Sequence, residues 1–500
     1  MSGLADPVPA VRAFIRSRKG GQPSWLDRYT ALFGLAMAAV VLAQPVSSAF
    51  AAVTRQSDPA RAAAGAALIM LAYAGLLVVT RAAGPVAVPA ADAAWLVLSP
   101  LDRRGVLGRT AGLLAAVSLP AGIVLGVGVL AVLGSPDGSV VMLITVVVLG
   151  LAASAGGMAV AVLAQASQTW SSWLQATVVV TVLLAAAVAL LGSGAGRRLL
   201  AAASAPVPYG MALAGASAMV AALLVRRAWA SLGDIPARTV LAASSRVGHV
   251  ATAAAGMEPG ALTWIAEDNH WRGRLLRSRR WPALPSPSAQ AWQDWRRLSR
   301  RPGRLAAMLG TSLLPFLVAR ATGGLGPLTA AVVITGALAV AAAGTSGARR
   351  DGDNPALARL LGVGFREGLA ARAVLPVLLS AGWLTLALGG LALEGALTSG
   401  PWWLLGPAAA PAVAAGALRM ARRRPVDHSM PVIDTPGGAI PTGPLLWAVT
   451  GVDLATLGCV PLLLALTVQR PVPETFPAGQ VLLGAAVLSG YLFRARRDVR

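Results

Sequence analysis

Two sets of residues in this sequence stand where they can do chemistry. Asp453 lies well inside an apolar run, at the end of Trp447-Ala448-Val449-Thr450-Gly451-Val452-Asp453. A carboxylate there is costly unless it faces a wet cavity or a partner. It therefore serves proton coupling or polar contact with a solute, or else it hydrogen-bonds helices together. The second set is a pair of short segments. In the first, Trp95, Leu96 and Leu98 lead through Ser99-Pro100-Leu101 into Asp102, Arg103 and Arg104. In the second, Leu357, Leu360 and Leu361 lead through Gly362-Val363-Gly364-Phe365 into Arg366 and Glu367. Asp92 can cap a short helix over 93–98, and Asp353-Asn354-Pro355 starts another through Leu361. Such helices either lodge in a groove on a soluble partner or act only through their arginines, which hold the orientation of the neighbouring spans.

Other chemistries lack their residues. Lys19 is the only lysine and has no Walker context, so the chain is not expected to hydrolyse ATP itself. His249, His270 and His428 are scattered, and no paired-histidine spacing exists. Glu267-Asp268-Asn269-His270 reads as a solvated turn, so no metal site is expected. Cys459 is the single cysteine, which rules out an intramolecular disulfide and a cysteine-based zinc site. No catalytic constellation and no cofactor motif is present, and no enzyme is expected.

The elements that must position these residues are membrane spans. Of the 500 residues 56% are hydrophobic and 12% charged, with mean hydropathy +0.68. Soluble domains carry about 25% charged residues. Twelve apolar runs read as spans near 29–52, 62–83, 110–133, 139–164, 173–192, 206–225, 305–322, 326–345, 371–392, 402–418, 444–468 and 478–493. Prolines 45, 120, 315, 376, 411 and 461 fall inside them, as bundled transmembrane helices tolerate. The N-terminus does not read as a cleavable signal, because four basic residues and a polar stretch precede a first run of full span length.

The net charge of +22 is explained by orientation rather than by nucleic acid. With both termini inside, only Arg55, Arg61, Arg197, Arg198, Arg320 and Arg470 of the 42 basic residues fall outside. The arginine and alanine bias points to a high-GC bacterium and its cytoplasmic membrane.

The spans divide six and six. Residues 1–225 form a first half, 226–303 an arginine-rich inside segment, and 304–500 a second half. Leu98, Arg103, Gly105 and Arg109 recur as Leu361, Arg366, Gly368 and Arg372 at a constant offset, between the second and third span of each half. Trp25 and Pro45 recur as Trp295 and Pro315 at an offset of 270, at the first span of each half. A parallel repeat follows. Within the inside segment, Asp234-Ile235-Pro236 starts a helix with Val240, Val247 and Val250 as its apolar stripe. Pro282 to Pro287 is a linker. Beyond it Trp292, Trp295 and Leu298 share one face of an interfacial helix, with Arg296, Arg297, Arg300 and Arg301 around it.

The segment Trp95-Leu96-Val97-Leu98-Ser99-Pro100-Leu101-Asp102-Arg103-Arg104 resembles the loop between the second and third spans of ABC-2-type exporter permeases. The whole chain resembles a bacterial membrane-protein family built as two fused six-helix halves; the second half lacks the Ser-Pro step. The resemblance implies an interfacial elbow helix at 292–304. It also implies a separate cytoplasmic ATP-binding subunit touching the loops at 92–105 and 353–368, and an export role. Two other classes compete. Asp102-Arg103-Arg104-Gly105 partly matches a loop of the major facilitator superfamily, which would make the chain a proton-coupled secondary transporter. A membrane scaffold without transport activity is the third.

Overall fold

In a computed structural model the protein is described over residue 47 and residues 59–88, 90–133, 140–190, 207–255, 282–360, 362–393, 395–424, 426–427, 429–435, 438–468 and 471–494. The expected first span near 29–52 (except Ser47), the Arg197-Arg198 pair and the Glu267–His270 turn lie outside these residues. What is described is helical, apart from an antiparallel ribbon that pairs Val432–Thr435 with Gly438–Pro441. Nine of the described helices are long and apolar enough to cross a membrane. A tenth crossing arises if the bent pair Pro327–Ala343 and Ser346–Asp353 counts as one. Large apolar side chains such as Leu113, Val124, Ile144, Leu183, Met219 and Leu482 stand exposed along these helices. Water would penalise so much bare hydrocarbon, whereas lipid does not.

The chain divides into two compact units: Met1–Gly248 with Arg320–Gly323, and His249–Ala319 with Gly324–Arg500. In the first, helix Pro59–Ala83 is followed by the short helix Ala90–Leu98 and then by Arg103–Leu133, Val140–Ala166, Gln168–Leu190 and Val207–Ala230. Arg103–Leu133 lies along Val140–Ala166, which also packs on Val207–Ala230 and Gln168–Leu190. Glycine permits the closest approach. A Cβ on Gly150 would stand 2.5 Å from the backbone nitrogen of Gly126 and against the carbonyl of Gly122. Small residues at such crossings let apolar helices make dense van der Waals contact in lipid.

In the second unit the helices Ser286–Ser299 and Pro302–Gly310, and most of Leu314–Thr322, lead into Pro327–Ala343. The order then repeats that of the first unit. The short helix Pro355–Leu360 precedes the long Phe365–Leu393, which lies along Trp402–Ala421, and that helix packs on Thr475–Arg494. Here a Cβ on Gly406 would meet the backbone of Thr385 at 2.7 Å. A tight crossing thus occurs between the corresponding helices of each unit, although Gly150 and Gly406 do not share the offset that relates Arg109 to Arg372. The core gathers Val333, Ile334, Trp383, Leu384, Leu388 and Val413.

Two expected spans are interrupted, each next to a proline. In 305–322, Pro315 has no N–H to give Thr311, and Thr311–Leu313 tightens into a 3-10 turn. The run 444–468 is three helices, Thr442–Val449, Val452–Gly458 and Val460–Val468. Gly451 makes the first break with φ +99°, a conformation costly for other residues. At the second, beside Pro461, the fully buried Gln480 repairs the ladder. Its Oε1 accepts from the Leu462 N–H at 3.1 Å, and its Nε2 donates to the Gly458 carbonyl at 2.6 Å. A single amide thus bridges the donor and acceptor that an unbroken turn would have joined.

Candidate functional site

The two short helices sit where the sequence expects them. In Ala90–Leu98, Asp92 falls in the first turn instead of before the helix. Ala93, Leu96 and Val97 make an i, i+3, i+4 stripe that is buried in the first unit's core. Leu96 is therefore occupied within its own unit and cannot serve a partner. Trp95 and Leu98 point the other way, 80% and 66% exposed. The helix is apolar on both sides, and its own unit uses only one.

The basic step behind it is held by the end of Val207–Ala230 and the turn that follows. Arg104 donates to the Ala230 carbonyl at 2.7 Å and Arg103 to the Ile235 carbonyl at 3.2 Å. Cations suit the unpaired carbonyls of a helix C-terminus. Asp102 Oδ2 accepts from the Gly105 N–H at 3.0 Å and so caps Arg103–Leu133. On the other side of the same segment, the Gln165 amide clamps Val86, accepting from its N–H and donating to its carbonyl. Ser244 Oγ accepts from the Val88 N–H at 3.0 Å. The loop is thus fixed at entry and exit.

In the second unit Leu360 is 80% exposed at the end of Pro355–Leu360. Leu361 and the side chain of Leu357 lie outside the described residues. Arg366 stacks over the Phe493 ring at 4.9 Å. Glu367 is exposed in the first turn of Phe365–Leu393, where an acid suits the helix dipole.

The arginines that the sequence matches at one offset have separate fates. Arg109 is exposed. Arg372 is buried and holds two carboxylates. Its Nε and Nη2 donate to the two oxygens of Asp351 at 2.8 and 3.2 Å, and its Nη1 donates to Asp294 Oδ1 at 2.9 Å. Asp294 belongs to Ser286–Ser299, the expected interfacial helix, but the face is turned. Gln290, Asp294 and Leu298 are buried, while Trp292 and Trp295 are partly exposed. Arg372 draws the acid inward, and the indoles, which tolerate a mixed environment, take the outer side. Burial pushes the Asp294 carboxyl up to about 6, against the downward pull of Arg372 and Arg350. Its Oδ2 is buried without a hydrogen-bond partner, which agrees with that direction.

Asp453 is engaged as well. Its Oδ1 accepts from the N–H groups of Gly451 and Leu454, both at 2.8 Å, and its Oδ2 receives Arg419 at 2.6 Å. It closes the break at Gly451 and ties it to the end of Trp402–Ala421. Cys459 is buried. The stripe expected on Ala237–Ala255 begins with the buried Val240; the side chains of Val247 and Val250 lie outside the described residues. No cluster of metal ligands occurs among the described residues.

Helices of this length and apolarity, with bare hydrocarbon outside and ion pairs within, define a multi-pass helical membrane protein. The chain belongs to a family of unknown function, DUF6297, whose model matches residues 57–431. Both short helices and the Arg372 cluster fall inside the matched residues; Asp453 and Gln480 fall beyond them. No curated protein and no solved structure matches the chain.

Proposed function

We propose that this protein is the membrane-spanning permease subunit of an ATP-driven exporter in a bacterial cytoplasmic membrane. It works with a separate cytoplasmic ATP-binding protein. Twelve spans are arranged as six plus six, with both termini and the 226–303 segment in the cytoplasm.

The observation that carries the reading is the outward apolar face of the two short helices. Trp95 and Leu98 in the first short helix and Leu360 in the second are exposed, each shortly before the third span of its half. Each short helix is followed by a long helix whose first turn carries a basic residue, Arg103 or Arg366. An apolar knob beside arginines fits a groove with an acidic rim, where the knob supplies affinity and the charges steer approach. The recurrence of the close helix crossing at Gly150 and Gly406 supports two halves built alike.

The test is affinity purification of the tagged full-length chain from its host, with the co-purifying ATPase quantified by mass spectrometry. Loss of a central apolar anchor typically costs about 2 kcal/mol or more. Trp95→Ala and Leu360→Ala are therefore expected to deplete the ATPase strongly, and Arg104→Ala only weakly, with equal membrane insertion. Undiminished ATPase in all three variants would leave these loops as topological anchors. Transport that persists without an ATPase and collapses with the proton gradient would move the chain to the secondary transporters.

A further inference from the structure

A cavity of about 1250 Å³ opens in the second unit where three candidate spans end. Arg419, Arg422, Arg423 and Arg424 line it from the end of Trp402–Ala421 and the residues just after. Arg494 ends Thr475–Arg494, and Arg372 stands near the start of Phe365–Leu393. Asp351 is the one acid in the described lining. Asp294 and Asp453 reach two of these arginines from outside it. Three carboxylates thus face six guanidiniums. Arg372 and Arg419 are committed to ion pairs, whereas Arg422 makes none among the described residues. Its guanidinium lies over the Phe365 ring at 4.6 Å, and its Nε is buried without a hydrogen-bond partner.

Part of the remaining wall is apolar. Leu454, Ala486 and Val487 continue the lining away from the arginines. Val487 lies about two turns, roughly 10 Å, inward of Arg494 along its helix. Span ends mark the level of lipid head groups, so the cationic part sits at that level and the apolar part faces the acyl layer. The space exceeds the roughly 300–1,000 Å³ of a small-molecule pocket, far more than inorganic phosphate needs. Gln290 also lines the cavity and is buried, with Oε1 lacking a partner. It offers an acceptor for a hydroxyl on the ligand.

The geometry points to a binding site for an anionic glycerophospholipid. Its phosphodiester is held by Arg422, Arg424 and Arg494, and an acyl chain lies on Leu454 and Val487. Guanidinium forks match phosphate oxygens in pairs, and basic pockets between spans select anionic head groups. This inference does not depend on the exporter reading, since neither short apolar helix face takes part.

The test uses the purified full-length protein in dodecyl maltoside and fluorescence anisotropy of phosphatidylglycerol labelled on one acyl chain. Phosphatidylcholine with the same label is the reference. Phosphatidylglycerol is expected to bind about ten-fold tighter or more, and Arg422→Gln/Arg424→Gln to lose about ten-fold. Arg109→Gln/Arg238→Gln removes the same charge from exposed positions of the first unit and is expected to change binding less than about two-fold. Equal binding of the two lipids by the wild type overturns the proposal whether or not the double variant folds. So does an equal loss in both double variants. Displacement by millimolar inorganic phosphate would assign the site to the free anion, and displacement by micromolar polyglutamate to an acidic protein segment. Either result also overturns it.

Discussion

Single side chains hold this fold together at places where apolar packing cannot. Gln480 is the clearest case, because removing its amide orphans the Leu462 N–H and the Gly458 carbonyl together. Each buried group left unpaired costs about 1–3 kcal/mol, so Gln480→Leu is expected to lose about 2 kcal/mol or more. Cys459, buried beside the break, reports the opening: maleimide labelling in detergent should be faster in the variant than in wild type. Unchanged labelling and melting would show that the bridge is dispensable. Asp294 gives a second residue-scale expectation. Its carboxyl holds a proton more tightly in the folded protein, at about 6, than in the unfolded chain at 3.8. A raised pKa makes its contribution to stability fully present below about pH 4 and lost as the pH rises through 6. The melting temperature of wild type should therefore fall between pH 4.5 and 7 by more than that of Asp294→Asn. Parallel slopes would contradict this.

At this scale the sequence was half legible. Asp453 stands out because an acid inside an apolar run is conspicuous. Arg419, which answers it, reads from the sequence only as a positive-inside anchor. Arg372 was visible as a repeat of Arg109, yet nothing local announces that one is buried and the other exposed. The difference comes from Asp294 and Asp351, distant in sequence and brought together by packing. Leu96 belongs to the same class, since a helix that is apolar all round does not reveal which side its own unit covers.

Elements follow the sequence more closely. Each of the nine long apolar helices overlaps an expected span, because a run of about twenty apolar residues has few alternatives in lipid. The departures have local causes. Pro315 and Pro461 cannot give the helical hydrogen bond to Thr311 and Leu457, and Gly451 turns the chain where no side chain fits. Hydropathy averages over these breaks and reads 444–468 as one helix. The crossing of Arg103–Leu133 with Val140–Ala166 gives the prediction at this scale. Gly150→Ala forces its Cβ into the backbone of the facing helix and should cost about 1–3 kcal/mol. Gly112→Ala, on the same helix pair but with open space around it, should be neutral or slightly stabilising, as alanine favours helix. Equal melting temperatures for the two variants would mean that the helices do not cross there.

The whole molecule is a helical membrane protein whose two compact units repeat one order of elements: a short helix, a long helix, and a partner that the long helix lies along. That duplication is the basis for reading the chain as both halves of one transporter. The arginine distribution is the ground for the proposed orientation, and the matched loops for the proposed repeat. Composition does not announce the cargo, because apolar spans are written in much the same residues whatever passes between them. The most direct measurement is native mass spectrometry of the complex released from the host membrane in mild detergent. One copy of this chain with two ATP-binding subunits is the predicted stoichiometry. Two copies of this chain in an obligatory homodimer, or one copy that never carries an ATPase, would contradict it.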